Sequence, residues 1–326
     1  MNRILWILLI VVVALIFCLQ VAIIYVKVAL PGLGPAPIIT VQKTTERLER
    51  GKYLANHVAV CMDCHSTRDW TFFSGPLKPK TLGMGGERFG REMGFPGEYY
   101  SSNITPYGIS GYSDGELYRL ITTGVKSDGK PIFPVMPYHN YGKLDPEDIY
   151  SIIAYVRSLA PITNDVTPSK TDFPMSVILN TIPKAATMAP APATNDTLAY
   201  GKYLATMASC VDCHTQFVKG QPVAGMEYAG GREFPMPSGH IIRSANITPD
   251  KETGLGWTTR GTFISKFKQY SDSGYVLPKV GLNDVNTIMP WTMYTGMKED
   301  DLAAIFKYLQ SLKPIKNKVE PFSKPS

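Results

Sequence analysis

Two strings in this chain have the composition and spacing for covalent cofactor chemistry: Cys61-Met62-Asp63-Cys64-His65 and Cys210-Val211-Asp212-Cys213-His214. Thiols three positions apart can each add to one vinyl group of a single porphyrin. The histidine that follows is then held beneath the ring, where its imidazole can ligate iron. This C-x-x-C-H pattern is the attachment signature of c-type haem. Cys61, Cys64 and His65 would therefore hold one haem c, and Cys210, Cys213 and His214 a second. Four cysteines in two such pairs could instead form a zinc site, or each pair a redox dithiol. The zinc reading does not account for a histidine directly after both pairs, and it sits awkwardly with a sequence divided into two self-similar halves.

A six-coordinate haem needs a second axial ligand, and a methionine in that place raises the potential and closes the iron. Met136 lies 71 residues after His65, and Met289 lies 75 residues after His214. Each is followed by proline, which restricts the residue before it to extended backbone and so helps aim a thioether. With 13 methionines in the chain, core packing is the competing role for any one of them. The repeated Met-Pro placement favours ligation, giving the axial pairs His65/Met136 and His214/Met289. The alternative is an enzyme resembling a dihaem peroxidase, in which one iron stays open. His57, His139 and His240 have no counterparts in the other copy and read as ordinary polar residues.

Five markers recur in the same order at offsets of 143 to 153 residues. Besides the attachment strings and the Met-Pro pairs, Gly51-Lys52-Tyr53-Leu54-Ala55 returns at 201–205, and Asn103-Ile104-Thr105-Pro106 returns at 246–249. The fifth marker, the run around Tyr155, returns around Tyr308. One repetition at this period is a domain duplication rather than a solenoid. The Asn-Ile-Thr-Pro strings have two readings of equal weight. They could donate hydrogen bonds to a haem propionate, with Tyr112 and Trp257 nearby as further donors, or they could serve as plain turns.

Each copy opens and closes with a helix. Asp145 is a good N-cap, Pro146 suits the first turn, and Ile149, Ile152, Ile153 and Val156 form one apolar stripe. In the second copy the cap position is Lys298, a poor capper. Gly51 and Gly201 would let the closing helix cross closely, with Tyr155 or Tyr308 at the crossing. The expected fold is mostly α, with two tandem haem domains behind an apolar N-terminal helix. The boundaries are 1–30 for the anchor, 31–43 for a short linker and 44–163 for the first domain. An inter-domain segment covers 164–195, the second domain 196–316, and a tail 317–326. The apolar piece Phe173–Leu179 should pack back on the first domain, and the Pro-, Ala- and Thr-rich run 181–197 reads as a linker.

Residues 4–26 carry no charge, and as a helix they would rise roughly 34 Å, enough for a bilayer core. An uncleaved membrane anchor is the favoured reading and a cleaved signal the alternative, although no good cleavage site is visible. Cys18 falls inside this run and reads as an apolar residue of the span. The net charge of +6 is not concentrated: residues 44–163 have no net charge and 196–316 carry +2. That pattern disfavours nucleic acid as a partner.

The two halves resemble the haem domains of the cytochrome c subunits that serve membrane-bound alcohol and sugar-acid dehydrogenases. The resemblance rests on the Gly-Lys-Tyr-Leu strings, the Asn-Ile-Thr-Pro turns, the run 124–129, Val135-Met136-Pro137-Tyr138, Thr253–Trp257 and Met289-Pro290-Trp291. It covers about 44–163 and 196–316. Those subunits usually carry three haem motifs, and their membrane attachment is usually at the other end. The resemblance implies helical cytochrome c domains, the axial pairs given above, and electron transfer rather than catalysis. Redox partners would be a dehydrogenase, a quinol-oxidising complex or a terminal oxidase. Covalent haem attachment takes place on the outer side of the bacterial cytoplasmic membrane. The expected location is therefore a single-pass inner-membrane protein with its haem domains in the periplasm.

Overall fold

The computed structural model describes residues 2–236, 239–281 and 284–324. Met1 of the expected anchor and the last two residues of the 317–326 tail lie outside the described residues. Helices dominate, and after the N-terminal segment most of them fall into two series in the same order, the short helices Pro106–Ile109 and Met175–Ile178 standing outside both. The first series is Thr45–Tyr53, Cys61–Cys64, Asp114–Thr123, Tyr138–Tyr141 and Pro146–Val156. The second is Thr197–Met207, Cys210–Cys213, Arg260–Lys268, Trp291–Tyr294 and Glu299–Gln310.

Local sequence explains where the longer helices start. The Thr44 side chain accepts from the Arg47 N–H, and Ser113 and Glu116 form a reciprocal capping box. Asp145 caps Pro146–Val156 through the Glu147 N–H, with Pro146 in the first turn. The opening helix of the first half runs on into a single π-turn, Leu54–Val58.

In each half the opening helix packs against the closing helix at a glycine. A Cβ on Gly51 would fall 1.9 Å from the Ser151 carbonyl oxygen and 2.9 Å from the Tyr155 Cβ. A Cβ on Gly201 would fall 1.9 Å from the Ala304 carbonyl oxygen. Only hydrogen fits between the two backbones, as the sequence leads one to expect.

The halves share one apolar core. Leu54, Met62, Ile149 and Ile153 of the first and Leu204, Met207, Leu302 and Leu309 of the second are buried in the same cluster. Reciprocal polar bonds stitch the seam. The Tyr53 hydroxyl donates to Asp301 at 2.5 Å and accepts from the Lys298 N–H at 3.1 Å. The Tyr203 hydroxyl donates to Asp148 at 2.6 Å and accepts from the Asp145 N–H at 3.2 Å. Tyr53 and Tyr203 are equivalent in the repeat, as are Asp148 and Asp301. Lys298 has no capping side-chain bond, and the tyrosine of the other half supplies a partner for its N–H.

Each half also carries a small antiparallel sheet: Arg88–Phe89, Gly97–Tyr100 and Lys170–Thr171 in the first, and Glu233–Pro235, Ile241–Arg243 and Phe322–Ser323 in the second. The third strand of each comes from chain beyond the closing helix, so each half reaches past positions 163 and 316. Strands this short leave no alternating pattern in the sequence. The run 181–197 is strapped to the first half: the Thr187 and Ala189 N–H groups donate to the Gly142 and Leu144 carbonyls. In the apolar piece before it, Leu179 is buried while Phe173 and Ile178 stay exposed, and the short helix Met175–Ile178 lies beside the N-terminal helix.

That helix, Arg3–Ala29, has a mean hydropathy of 3.3 and none of that stretch is buried. Among the described residues it is the one helix long and apolar enough to cross a membrane.

Candidate haem sites

Each attachment string forms one short helical turn launched from a left-handed residue, Val60 (φ +46°) before Cys61 and Ser209 (φ +53°) before Cys210. Left-handed backbone is unfavourable for a residue with a side chain, and most so for a β-branched one. Strain of this kind persists where surrounding structure enforces it, commonly at functional sites. Here a tyrosine enforces it in both halves: the Tyr141 hydroxyl donates to the Ala59 carbonyl at 3.1 Å, and the Tyr294 hydroxyl to the Ala208 carbonyl at 3.0 Å.

The two histidines are held identically. His65 Nδ1 lies 2.7 Å from the Ser102 carbonyl oxygen, and His214 Nδ1 lies 2.7 Å from the Ala245 carbonyl oxygen. A carbonyl only accepts, so Nδ1 carries the proton and the neutral ring keeps its lone pair on Nε2. This is the arrangement by which a protein orients a metal-binding imidazole. Burial lowers both imidazole pKa values, and the carbonyl bond partly offsets that. Both rings are therefore neutral near pH 7.

All four thiols are free. Burial pushes the thiols of Cys61, Cys64 and Cys210 up to about 12. No three His, Cys, Asp or Glu side chains converge as a metal site among the described residues, so the cysteine pairs are not assembled into one zinc centre.

Met136 and Met289 occupy matching turns. The Tyr138 N–H donates to the Met136 carbonyl and the Trp291 N–H to the Met289 carbonyl, both at 2.8 Å. Pro137 (φ −80°, ψ 53°) and Pro290 (φ −81°, ψ 63°) sit at the centres of these inverse γ-turns. Both methionines are half-buried and pack on the shared core.

The Asn-Ile-Thr-Pro strings are turns whose polar groups are already engaged. Asn103 Oδ1 accepts from the Thr105 N–H at 3.0 Å and hydroxyl at 2.7 Å, and its amide donates to the Ile162 carbonyl at 2.8 Å. Asn246 does the same with Thr248 at 3.0 and 2.7 Å and with Ile315 at 2.8 Å. Their effect is to fix the preceding carbonyl, that of Ser102 or Ala245, on the histidine. Trp257, considered above as a propionate donor, is 76% exposed beside Lys251. Two residues not singled out from sequence join the sites, Tyr141 and Tyr294. The available signal was a Tyr five positions after the methionine of each Met-Pro pair. His57, read as an ordinary polar residue, bridges the halves at 3.0 Å to the Met293 carbonyl.

These sites fit haem c. Each supplies two free thiols and an imidazole whose Nε2 is unprotonated. Beside Met136, the Tyr138 hydroxyl is buried without a hydrogen-bond partner among the described residues.

Known proteins point to cytochrome c chemistry. Residues 198–313 match the family "Cytochrome c", so the second half carries a cytochrome c domain. The chain is 27% identical over 299 residues to the alcohol dehydrogenase (quinone) cytochrome c subunit of Gluconacetobacter polyoxogenes, covering 86% of this chain and 59% of that protein. It is also 27% identical to the gluconate 2-dehydrogenase cytochrome c subunit of Pantoea cypripedii, covering 81% of this chain and 59% of the relative. Against the fructose dehydrogenase cytochrome subunit of Gluconobacter japonicus the identity is 27%, covering 81% and 52%. The chain thus spans between half and three-fifths of the length of these relatives. A match over 86% of the chain takes in both halves.

Proposed function

We propose that this protein is a membrane-anchored carrier of single electrons with two haem c groups, one in each of two tandem cytochrome c domains. Cys61 and Cys64 would hold the first by thioether links, with His65 and Met136 as axial ligands. Cys210 and Cys213 would hold the second, with His214 and Met289. The observation that carries this reading is the identical setting of His65 and His214, each with Nδ1 tied 2.7 Å from a backbone carbonyl. Haem c in these places supplies one-electron chemistry between ferric and ferrous iron.

The chain's own contribution is to hold and seal. The left-handed residues Val60 and Ser209 aim the thiols, the Asn103 and Asn246 turns aim the carbonyls, and the prolines fix the methionine backbone. Met136 and Met289 as ligands would leave no open position on either iron, which favours electron transfer over the peroxidase-like alternative. The relatives are named as cytochrome subunits of dehydrogenases, which supports a dehydrogenase as the electron donor. A quinol-oxidising complex or a terminal oxidase would complete the path. The helix Arg3–Ala29 would keep the carrier at the inner membrane, with both domains in the periplasm.

Intact-mass measurement of the purified protein tests the cofactor count. The expected mass is the polypeptide plus two macrocycles, with colour that survives acidic organic solvent. One macrocycle or none would remove the dihaem assignment. Strong carbon monoxide binding by the reduced wild type would instead favour the open-haem enzyme.

A further inference from the structure

The loop after the first attachment string crosses the seam to the second half. The Phe73 N–H donates to the Pro278 carbonyl at 2.9 Å, the Val280 N–H donates to the Thr71 carbonyl at 2.8 Å, and Phe72 pairs with Lys279 in an antiparallel bridge. The Phe73 ring stacks on Tyr270 at 6.3 Å, and Tyr270 on Trp291 at 5.5 Å.

Ser74 ends the crossing. It is fully buried and left-handed, with φ +63°. Its N–H donates to Asn286 Oδ1 at 2.9 Å. Its hydroxyl donates to the Met289 carbonyl at 2.7 Å and accepts from the Trp291 N–H at 3.0 Å. Ser74 thus grips both ends of the γ-turn that presents Met289. Arg68 holds Ser74 from behind, donating to the Ser74 carbonyl at 2.8 Å, the Gly75 carbonyl at 3.0 Å and the Asp63 carboxylate at 2.9 Å. Asp63 lies between Cys61 and Cys64. A continuous chain of bonds therefore runs from the first attachment helix to the backbone of the second methionine. The corresponding run in the second half, 216–225 after its own attachment string, contains no Ser or Thr.

We propose that Ser74 is a positioning residue for the second haem, fixing the Met289 backbone so that its sulfur stays on the second iron. This deepens the reading above and rests on Met289 as that iron's ligand. Sidedness follows: the second site depends on the loop of the first through Ser74, whereas among the described residues the second half reaches the first at Asn140, through Ser209 and Asp212, and not at the Met136 turn itself. A strained, buried, non-glycine residue at such a junction is the kind of outlier from which a role can be inferred.

The test is Ser74→Gly, which keeps the left-handed backbone at no steric cost and removes the hydroxymethyl side chain with its two hydrogen bonds. It is made in two backgrounds of the full-length, haem-loaded protein. In Met136→Ala protein the remaining thioether-to-iron absorption at the red edge of the visible spectrum belongs to the second haem. There S74G should weaken that band and raise carbon monoxide uptake by the reduced protein several-fold. In Met289→Ala protein the remaining band belongs to the first haem, and S74G should leave it unchanged. Asn286→Ala should act in the same direction as S74G in both backgrounds.

An unchanged band and unchanged carbon monoxide uptake in the M136A background would overturn the role of Ser74. So would equal damage in both backgrounds, which would mark the loop as a general support. Failure of the ligand assignment is distinguishable, because M289A alone would then leave the wild-type band intact with Ser74 present.

Discussion

The Tyr203 hydroxyl donates to the Asp148 carboxylate at 2.6 Å across the seam between the halves, and Tyr53 makes the mirror bond to Asp301 at 2.5 Å. Hydrogen bonds to a charged acceptor contribute about 1.5–3 kcal/mol when the acceptor is buried. Tyr53→Phe and Tyr203→Phe should each lower stability by about that amount. Asp148 keeps Arg50, which donates twice at 2.8 Å, so Y203F should be the milder of the two. Urea unfolding of each variant measures the loss, and two variants indistinguishable from wild type would mean that the seam does not depend on these bonds.

The same tyrosines give the seam an alkaline limit. Burial raises the Tyr53 phenol above its ordinary value of 10.0, and the Asp301 bond raises it further. Tyr203 is shifted the same way, by burial and by Asp148. The neutral phenol is the form the fold favours. As pH rises through about 10, the unfolded chain releases these protons first, so the folded form holds more protons and stability falls from there upward. Unfolding midpoints measured between pH 8 and 11 should decline above pH 10, and the decline should be shallower in the Y53F/Y203F double variant.

Gly51→Ala and Gly201→Ala would place a methyl 1.9 Å from a backbone oxygen of the facing helix. Backbone cannot yield as a flexible side chain does, so the helices must separate. Each substitution should cost about 3 kcal/mol or more, the upper range for overpacking. Thermal unfolding reads this directly, and a change below about 1 kcal/mol would contradict so close a crossing.

Replacing Cys61 and Cys64 together by Ser should remove one covalent macrocycle from the intact mass and leave the second in place. Met136→Ala should open one iron to carbon monoxide, and Met289→Ala the other, each affecting about half of the reduced haem. Retention of full mass in the double Cys variant would contradict the attachment assignment.

What was legible in the sequence is local. The C-x-x-C-H strings, the Asp145 cap and the Met-Pro pairs each sit within a few residues, and repetition separates them from chance. The glycine crossings were legible for the same reason, since Gly51 and Gly201 recur, each against the closing helix of its own half. The seam was not, because Tyr53 meets Asp301 across 248 positions and neither residue type declares a distant partner. The Ser74 clamp breaks the repeat, so comparison of the halves conceals it. The Asn-Ile-Thr-Pro strings were visible but open to two readings, since only the fold shows that Asn103 and Asn246 bond within their own turns and to the chain beyond the closing helix.

Equivalent residues making the same bond in both directions is the signature of an isologous contact, the kind that joins two identical subunits about a two-fold axis. Here both partners lie on one polypeptide. The Tyr-to-Asp seam carries that two-way symmetry within a single chain. Because both copies share one polypeptide, neither must match the other everywhere, and a residue such as Ser74 can stand on one side alone.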